Sequence, residues 1–571
     1  MNIQSLPTDA KSILALKWTD YEPYYKDLEA RELSKENIEA WLNDWSTLAA
    51  TVDEHYWRLY IATTVNTADK QIEDEFNKYI EEIQPLAKTA EQKLKDKLLA
   101  SGLSPKSFET GLRMMRAEAE IFTEENLPLL AEEQKLTTEY NKLRGAITVI
   151  WDGEERTLTQ MFPLLFETDR SVRQRAWEVT QSRLIKERRN INDLWESFVP
   201  VRLKIAGNTD MPDYRAYVWK QKFRFDYSPE DCKSFHAAIE EVVVPAARRV
   251  YERRRQRLGV EALRPWDLFV DPLGATPIKP YESMDEFRSK SRAIFEQVDP
   301  KFGEYFQIMI DEGLLDLESR KNKAPGGYSL GLHVAHRPFI FINNTNTPWD
   351  VQTMLHEGGH AFHEFERAHV HFYQRGEIYL PAEFAEVASM GMELIASPYK
   401  TKEYGGFYTE SEAARAMIEL LESNITFWPY MALVDAFQHW IYENPKESSD
   451  ASTCEEKWAE LWDRFMPGID YSSLEDAKKT YWHHQSHIFG NPFYYVEYGL
   501  ALLGAVQVWA NARKDQKKAV ADYRKALALG ATVPLPELFA TAGAKFAFDA
   551  KTLKQAVDLT EEVIGEMEAK L

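Results

Sequence analysis

The stretch His356-Glu357-Gly358-Gly359-His360, inside Met354 to His363, constrains this chain more than any other. Two histidines four apart stand about one helical turn from each other, so both imidazoles leave the same face. That spacing suits two ligands of one tetrahedral Zn²⁺, and the intervening Glu357 can reach a water at the metal as its general base. Glycine inside a helix costs about 1 kcal/mol relative to alanine, so a purely structural helix would not favour Gly358 and Gly359. Lacking side chains, they let another segment, or a substrate backbone, approach the metal face. On its residues alone the stretch predicts a zinc peptidase.

A catalytic zinc takes three protein ligands and keeps one position open. Pro381 to Leu394 is an apolar-periodic run that predicts a helix carrying Glu383, Glu386 and Glu393 along one side. Glu386 lies 26 residues beyond His360, far enough for the chain to turn and bring a second helix across the first. Buried carboxylates need a partner or a metal. One of the three should complete the metal site and another should orient a ligand histidine. Spacing alone leaves Glu383 and Glu386 both open as the third ligand.

Near the C-terminal end, Tyr481 to Tyr498 gathers His483, His484, His487, Tyr494, Tyr495 and Tyr498 around a Gly490-Asn491-Pro492 turn. Most such clusters are packed aromatic core. A loop of this kind can also carry donors to a metal site, because peptide hydrolysis builds an oxyanion that a phenol or imidazole stabilises. A third segment, Pro325 to Asn343, precedes the histidine motif. Phe339 to Ile342 within it predicts a strand, read as an edge on which an extended peptide can pair. Tyr328 and Arg337 are its candidate substrate contacts, with His333 and His336 beside them.

His356-Glu-Gly-Gly-His-Ala-Phe-His363, followed by Phe384-Ala-Glu386-Val-Ala-Ser389, resembles the thimet oligopeptidase family, and within it the oligoendopeptidase F and Pz-peptidase branch. The resemblance implies His356, His360 and Glu386 as metal ligands, the last opening a Glu-x-x-Ser pattern. It implies supporting places next to the ligands for Glu393 and His363. His487 and Tyr498 match a family histidine and tyrosine in order and spacing, which implies catalytic donors. Tyr495 and Tyr494 compete for a further tyrosine position; Tyr495 is taken as the catalytic candidate and Tyr494 as a substrate contact. The Asp152-Gly153 hairpin and the segment from Lys525 to Gly543 have counterparts too. The implied fold is mainly α: two helical subdomains flank a deep substrate channel, with a small β-sheet near a zincin-type helix. The implied activity is zinc-dependent endoproteolysis of short, unstructured oligopeptides, with one Zn²⁺ per chain.

Composition bounds the rest. The 571 residues suffice for a large core and two subdomains. A boundary is expected in the loop-like Gly207 to Asp213, dividing residues 1–206, with a hairpin near 146–158, from a catalytic region at 207–571. The net charge of −22 disfavours nucleic acid and anionic membranes. No apolar run reaches membrane-spanning length. Two cysteines, Cys232 and Cys454, make no disulfide framework and suggest a reducing, cytoplasmic location. The basic run at 248–257 reads as a solvated helix face. Two other readings stand beside the endopeptidase: a zinc carboxypeptidase, and a catalytically silent peptide-binding protein. The sequence leaves the oligomeric state open.

Overall fold

Helix-forming periodicity runs through most of the chain, and the computed structural model, which describes residues 2–274, 278–376 and 378–571, is accordingly mainly helical. Strands are confined to two small sheets. Helix α1 (Ile38–Val65) buries Trp41, Leu42, Trp45 and Leu48, a spacing of three and four residues that makes one continuous apolar stripe. That stripe anchors a core drawn from residues 3–115, which Tyr373, Tyr379 and Ala531 join from later in the chain. A second, larger core gathers apolar side chains from Tyr140 to Ile564.

The expected hairpin is present as β1 (Thr148–Trp151) and β2 (Glu154–Thr157). Asp152 and Gly153 both take positive φ, 50° and 85°, which matches the right-handed twist of paired strands in a two-residue turn.

The other sheet sets up the candidate site. Its strands are β3 (Leu315–Glu318), β4 (Tyr328–Leu332) and β5 (Arg337–Asn344), in the order β3-β5-β4. The run Phe339 to Ile342 is therefore central, not an edge. Three consecutive buried residues, Ile340, Phe341 and Ile342, show that both faces of β5 are covered. The edges are β3 and β4, the latter a five-residue strand with Gly331 in it that carries little strand signal of its own.

β5 runs directly into helix α2 (Pro348–Arg367), which opens with Pro348 at its first position and a reciprocal cap between Thr347 and Asp350. Helix α3 (Ala382–Ile395) crosses α2, and the long α4 (Glu410–Glu443) and α5 (Tyr495–Lys514) complete the surroundings. The crossing of α2 and α3 is close because of Gly359. A Cβ there would lie 2.5 Å from the carbonyl oxygen of Ala388 and 2.6 Å from Ser389 Cα. Gly358 is equally confined, against the Phe295 ring.

The solvated-face expectation holds for Arg248 and Arg249, which are exposed, and not for Arg254. The basic run at 248–257 lies on the helix Pro229–Leu258, but Arg254 turns inward and donates to the carbonyls of Asp267 (2.8 Å) and Val270. Among the described residues, no helix is long and apolar enough to cross a membrane.

Candidate active site

The α2–α3 crossing brings three side chains to one point. Nε2 of His356 is 3.4 Å from Glu386 Oε2, and Nε2 of His360 is 3.7 Å from the same oxygen. All three donor atoms lie within 4.8 Å of one another. The other ring nitrogen of His356 is already engaged: Nδ1 is 2.5 Å from Glu393 Oε1. A hydrogen bond there keeps a proton on Nδ1, so Nε2, which points at Glu386, is the nitrogen left to bind a metal once it gives up its own proton. Glu393 is held in turn by the Gln352 amide, and Gln352 accepts from the buried Lys400 at 3.4 Å. Two imidazoles and a carboxylate converging this way are a donor set that fits a zinc ion.

Glu383 faces elsewhere. It accepts a 2.6 Å hydrogen bond from the Tyr227 hydroxyl, and Arg224 Nε lies 3.9 Å from it. Glu386 instead accepts from the Ser389 hydroxyl at 2.8 Å, one turn further along α3. That bond holds the carboxylate towards the histidine pair, and it is the local reason for a serine three residues after the glutamate.

Glu357, buried at 8% exposure on the same helix as both histidines, lies within reach of the charges of His356, Glu386 and Glu393. Burial pushes its carboxyl up to about 7; His356 opposes this, while Glu386 and Glu393 reinforce it. A carboxyl poised near neutrality can both accept and return a proton. Burial lowers the affinity of His356 for protons, but the bond to Glu393 and the charges of Glu393, Glu386 and Glu357 lift it to about 9. Burial keeps His360 neutral, and does the same for His363, which stands edge-on to Phe384 without a hydrogen bond on either ring nitrogen.

The aromatic cluster flanks this arrangement. Burial raises the phenols of Tyr494 and Tyr498, that of Tyr498 to about 12, and the nearby Glu386 carboxylate adds to both shifts. Both therefore remain protonated donors on the Glu386 side. Tyr495 packs against Phe427 (5.9 Å between ring centres) and Tyr430 (6.1 Å), and Tyr498 meets the same Phe427 edge-on at 6.4 Å. His487 stacks parallel to Tyr494 at 5.5 Å and meets Tyr495 edge-on at 5.2 Å. The Glu386 charge thus acts on the Tyr494 and Tyr498 phenols, whereas burial and the Gln485 amide set that of Tyr495.

The substrate candidates are otherwise engaged. Tyr328, on β4, shares a 2.6 Å hydrogen bond with Thr64 of α1 and stacks on Phe341. Arg337 forms a two-point pair with Glu312 at 2.8 and 2.9 Å. His333 is buried between Glu364 (3.1 Å) and Asp53 (3.5 Å). None of the three is brought to the histidine pair. Residues absent from the sequence reading but joined to the site are Gln352 and Lys400 behind Glu393, and Arg224 and Tyr227 behind Glu383. No motif marks them: Gln352 stands one turn before His356 on α2, but Lys400 and the pair Arg224 and Tyr227 come from other parts of the chain.

A second group of metal-ligand type, Cys232, Asp435 and His439, is also clustered among the described residues. Arg215 Nη1 lies 3.1 Å from His439 Nδ1, and a guanidinium can only donate. His439 must therefore carry its proton on Nε2, facing Asp435 Oδ2 at 3.2 Å, where His236 also binds at 2.8 Å. Asp435 is thus hydrogen-bonded to His236 and paired at 3.2 Å with His439, whose Nδ1 is already taken up by Arg215.

The α2–α3 pair, with a proton acceptor and phenol donors beside it, is the layout of a metallopeptidase. Comparison with known proteins agrees. A model of Peptidase family M3 matches residues 164–557, and the Peptidase M3 N-terminal domain matches residues 16–143. The chain is 22% identical over 478 residues to the oligoendopeptidase F homolog of Borreliella burgdorferi, covering 79% of this chain and 73% of that one. It is 24% identical over 265 residues to the group B oligopeptidase PepB of Streptococcus agalactiae, covering 44% of this chain and 40% of that one. Among solved structures, a Pz peptidase A with an inhibitor superposes over the whole of both chains at 27% identity and a TM-score of 0.83. A 3.1 Å X-ray structure assigned as oligoendopeptidase F does so at 26% identity and a TM-score of 0.85. The protein belongs to peptidase family M3 and is a metallo-oligopeptidase.

Proposed function

We propose that the protein is a zinc-dependent endopeptidase that cuts internal bonds of short, unstructured oligopeptides. The observation that carries this reading is the facing of His356 Nε2, His360 Nε2 and Glu386 Oε2 on one point, with Glu357 beside them. Those three residues would hold the metal. When bound, Zn²⁺ supplies a Lewis acid that polarises the scissile carbonyl and makes water nucleophilic near neutral pH. Glu357 takes the proton from the attacking water and passes it to the departing amine. Tyr498 and Tyr494 donate to the developing oxyanion, and His487 supports Tyr494 by stacking. Glu393 keeps the Nδ1 proton of His356 in place throughout. The names of the relatives favour internal cleavage and oligopeptides over the removal of single C-terminal residues.

The test is zinc content together with product analysis on unstructured peptides of increasing length, with and without chelator. Internal cleavage that needs the metal and fades with peptide length is expected. Release of single C-terminal residues would make it a carboxypeptidase, and bound zinc without any cleavage would make it a peptide-binding protein.

A further inference from the structure

Phe493 is a buried phenylalanine in the left-handed region, with φ of 61°. That conformation presses its Cβ against the backbone, so a free loop would leave it. Here both polar groups of its peptide are pinned. The N–H donates to Gln438 Oε1 of α4 at 2.7 Å, and the carbonyl accepts from Arg224 Nη2 at 2.5 Å. The same Nη2 donates to Glu497 Oε1, also at 2.5 Å. Phe493 immediately precedes Tyr494, and Glu497 immediately precedes Tyr498. One guanidinium nitrogen therefore holds the chain next to both Tyr494 and Tyr498, whose rings meet edge-on at 5.1 Å.

Arg224 reaches the ligand helix as well. Its Nε lies 3.9 Å from Glu383, one turn before Glu386 on α3. It follows Phe223, a second phenylalanine with positive φ, 55°. Lys222, just before that, donates to Asn491 at 2.7 Å and lies over the Tyr494 ring at 4.9 Å. Stability alone does not account for this arrangement. A buried ion pair is often no better than apolar packing of the same volume, and Arg224 leaves Nε and Nη1 buried without hydrogen bonds. What the planar, forked cation provides is register between two elements.

Resting on the peptidase reading above, we infer that Arg224 and Gln438 are positioning residues for hydrolysis: together they clamp the strained Phe493 peptide and so set Tyr494 and Tyr498 against the metal-ligand helix. They touch neither metal nor peptide and act through the phenols.

The test is a double-mutant cycle on the zinc-loaded enzyme, pairing Arg224→Lys and Gln438→Met each with Tyr494→Phe. Zinc stoichiometry, kcat, KM and the inhibition constant of a phosphinic peptide are measured for each variant. In the wild-type background, kcat is expected to fall about 10- to 100-fold with KM within about twofold, and phosphinic affinity to fall with kcat. In the Tyr494→Phe background the same substitutions should cost clearly less than in the wild type, because one of the two phenols they position is gone and only the Tyr498 share remains. Gln438→Met keeps the buried charge and serves if Arg224→Lys does not fold. Folded variants with unchanged kcat, or with the same loss in both backgrounds, overturn the clamp alone. Wild-type protein that binds zinc and cleaves no peptide overturns the peptidase reading and the clamp with it.

Discussion

Gly359 and Ala388 touch backbone to backbone: a Cβ on the glycine would sit 2.5 Å from the alanine carbonyl oxygen. This contact lets α2 and α3 approach closely enough for Glu386 to meet two histidines at once. In an ordinary helix, Gly→Ala gains about 1 kcal/mol. At this position overpacking costs about 1–3 kcal/mol and pushes the helices apart. Gly359→Ala should therefore lower the melting temperature and weaken zinc binding about tenfold or more, checked by thermal unfolding and chelator competition. An unchanged zinc affinity would show that the crossing has slack.

Glu357→Gln removes the proton acceptor while keeping shape and leaving the three converging donors untouched. Turnover should fall by about 10²- to 10⁴-fold or more, with zinc content by elemental analysis and melting temperature close to wild type. Preserved turnover would assign the base elsewhere.

Glu393→Ala frees the Nδ1 side of His356 and leaves Gln352 without its acceptor. Loss of such an outer partner commonly costs 10- to 100-fold in metal affinity. The same range is expected here, read by competition with a coloured chelator. The affinity should move even where saturating zinc restores turnover.

Two adjacent tyrosines should behave differently. Tyr494→Phe removes a phenol in reach of Glu386 and should cost about 10²- to 10³-fold in kcat, as loss of an oxyanion donor does. Tyr495→Phe, on the side of Phe427 and Tyr430, should cost less than tenfold. Steady-state kinetics on one peptide would separate the two, and a reversed order would exchange their roles.

His55 predicts a pH effect on stability far from the metal. Burial in α1 lowers its pKa from 6.5 to about 4, beside a 3.1 Å contact to the Tyr21 hydroxyl. A histidine with a depressed folded pKa contributes stability above 6.5 that is lost as the pH falls towards 4. The shift corresponds to at most about 3 kcal/mol. Relative to His55→Gln, the wild type should lose stability over that window in urea titrations. A difference independent of pH would exclude His55 as the source.

The candidate metal ligands were legible because chemistry limits their spacing: two ligands on one helix face stand three or four apart, whatever the surrounding fold. The choice between Glu383 and Glu386 was not legible from spacing. It is made by Tyr227 and Arg224, which stand more than 150 residues earlier and bind the first glutamate. Gly359 announced that something comes close to the helix, but nothing local said that the visitor was the backbone of α3. Tyr494 and Tyr495 were inseparable without knowing that α5 starts at Tyr495, which turns neighbouring side chains to different sides. The edge position of β4 was missed because that strand is short and contains Gly331, whereas the apolar β5 stood out for being buried on both faces.

Glu54 of α1 accepts hydrogen bonds from Val334 N (2.6 Å) and Ala335 N (2.9 Å), at the turn between β4 and β5. A polypeptide started at residue 164, where the larger family match begins, would carry the histidine pair but not this carboxylate. The bend that holds β4 beside α2 would then have two amides without an acceptor. The N-terminal helices are thus a wall of the catalytic sheet, and the two family segments are parts of one machine rather than an enzyme with an accessory.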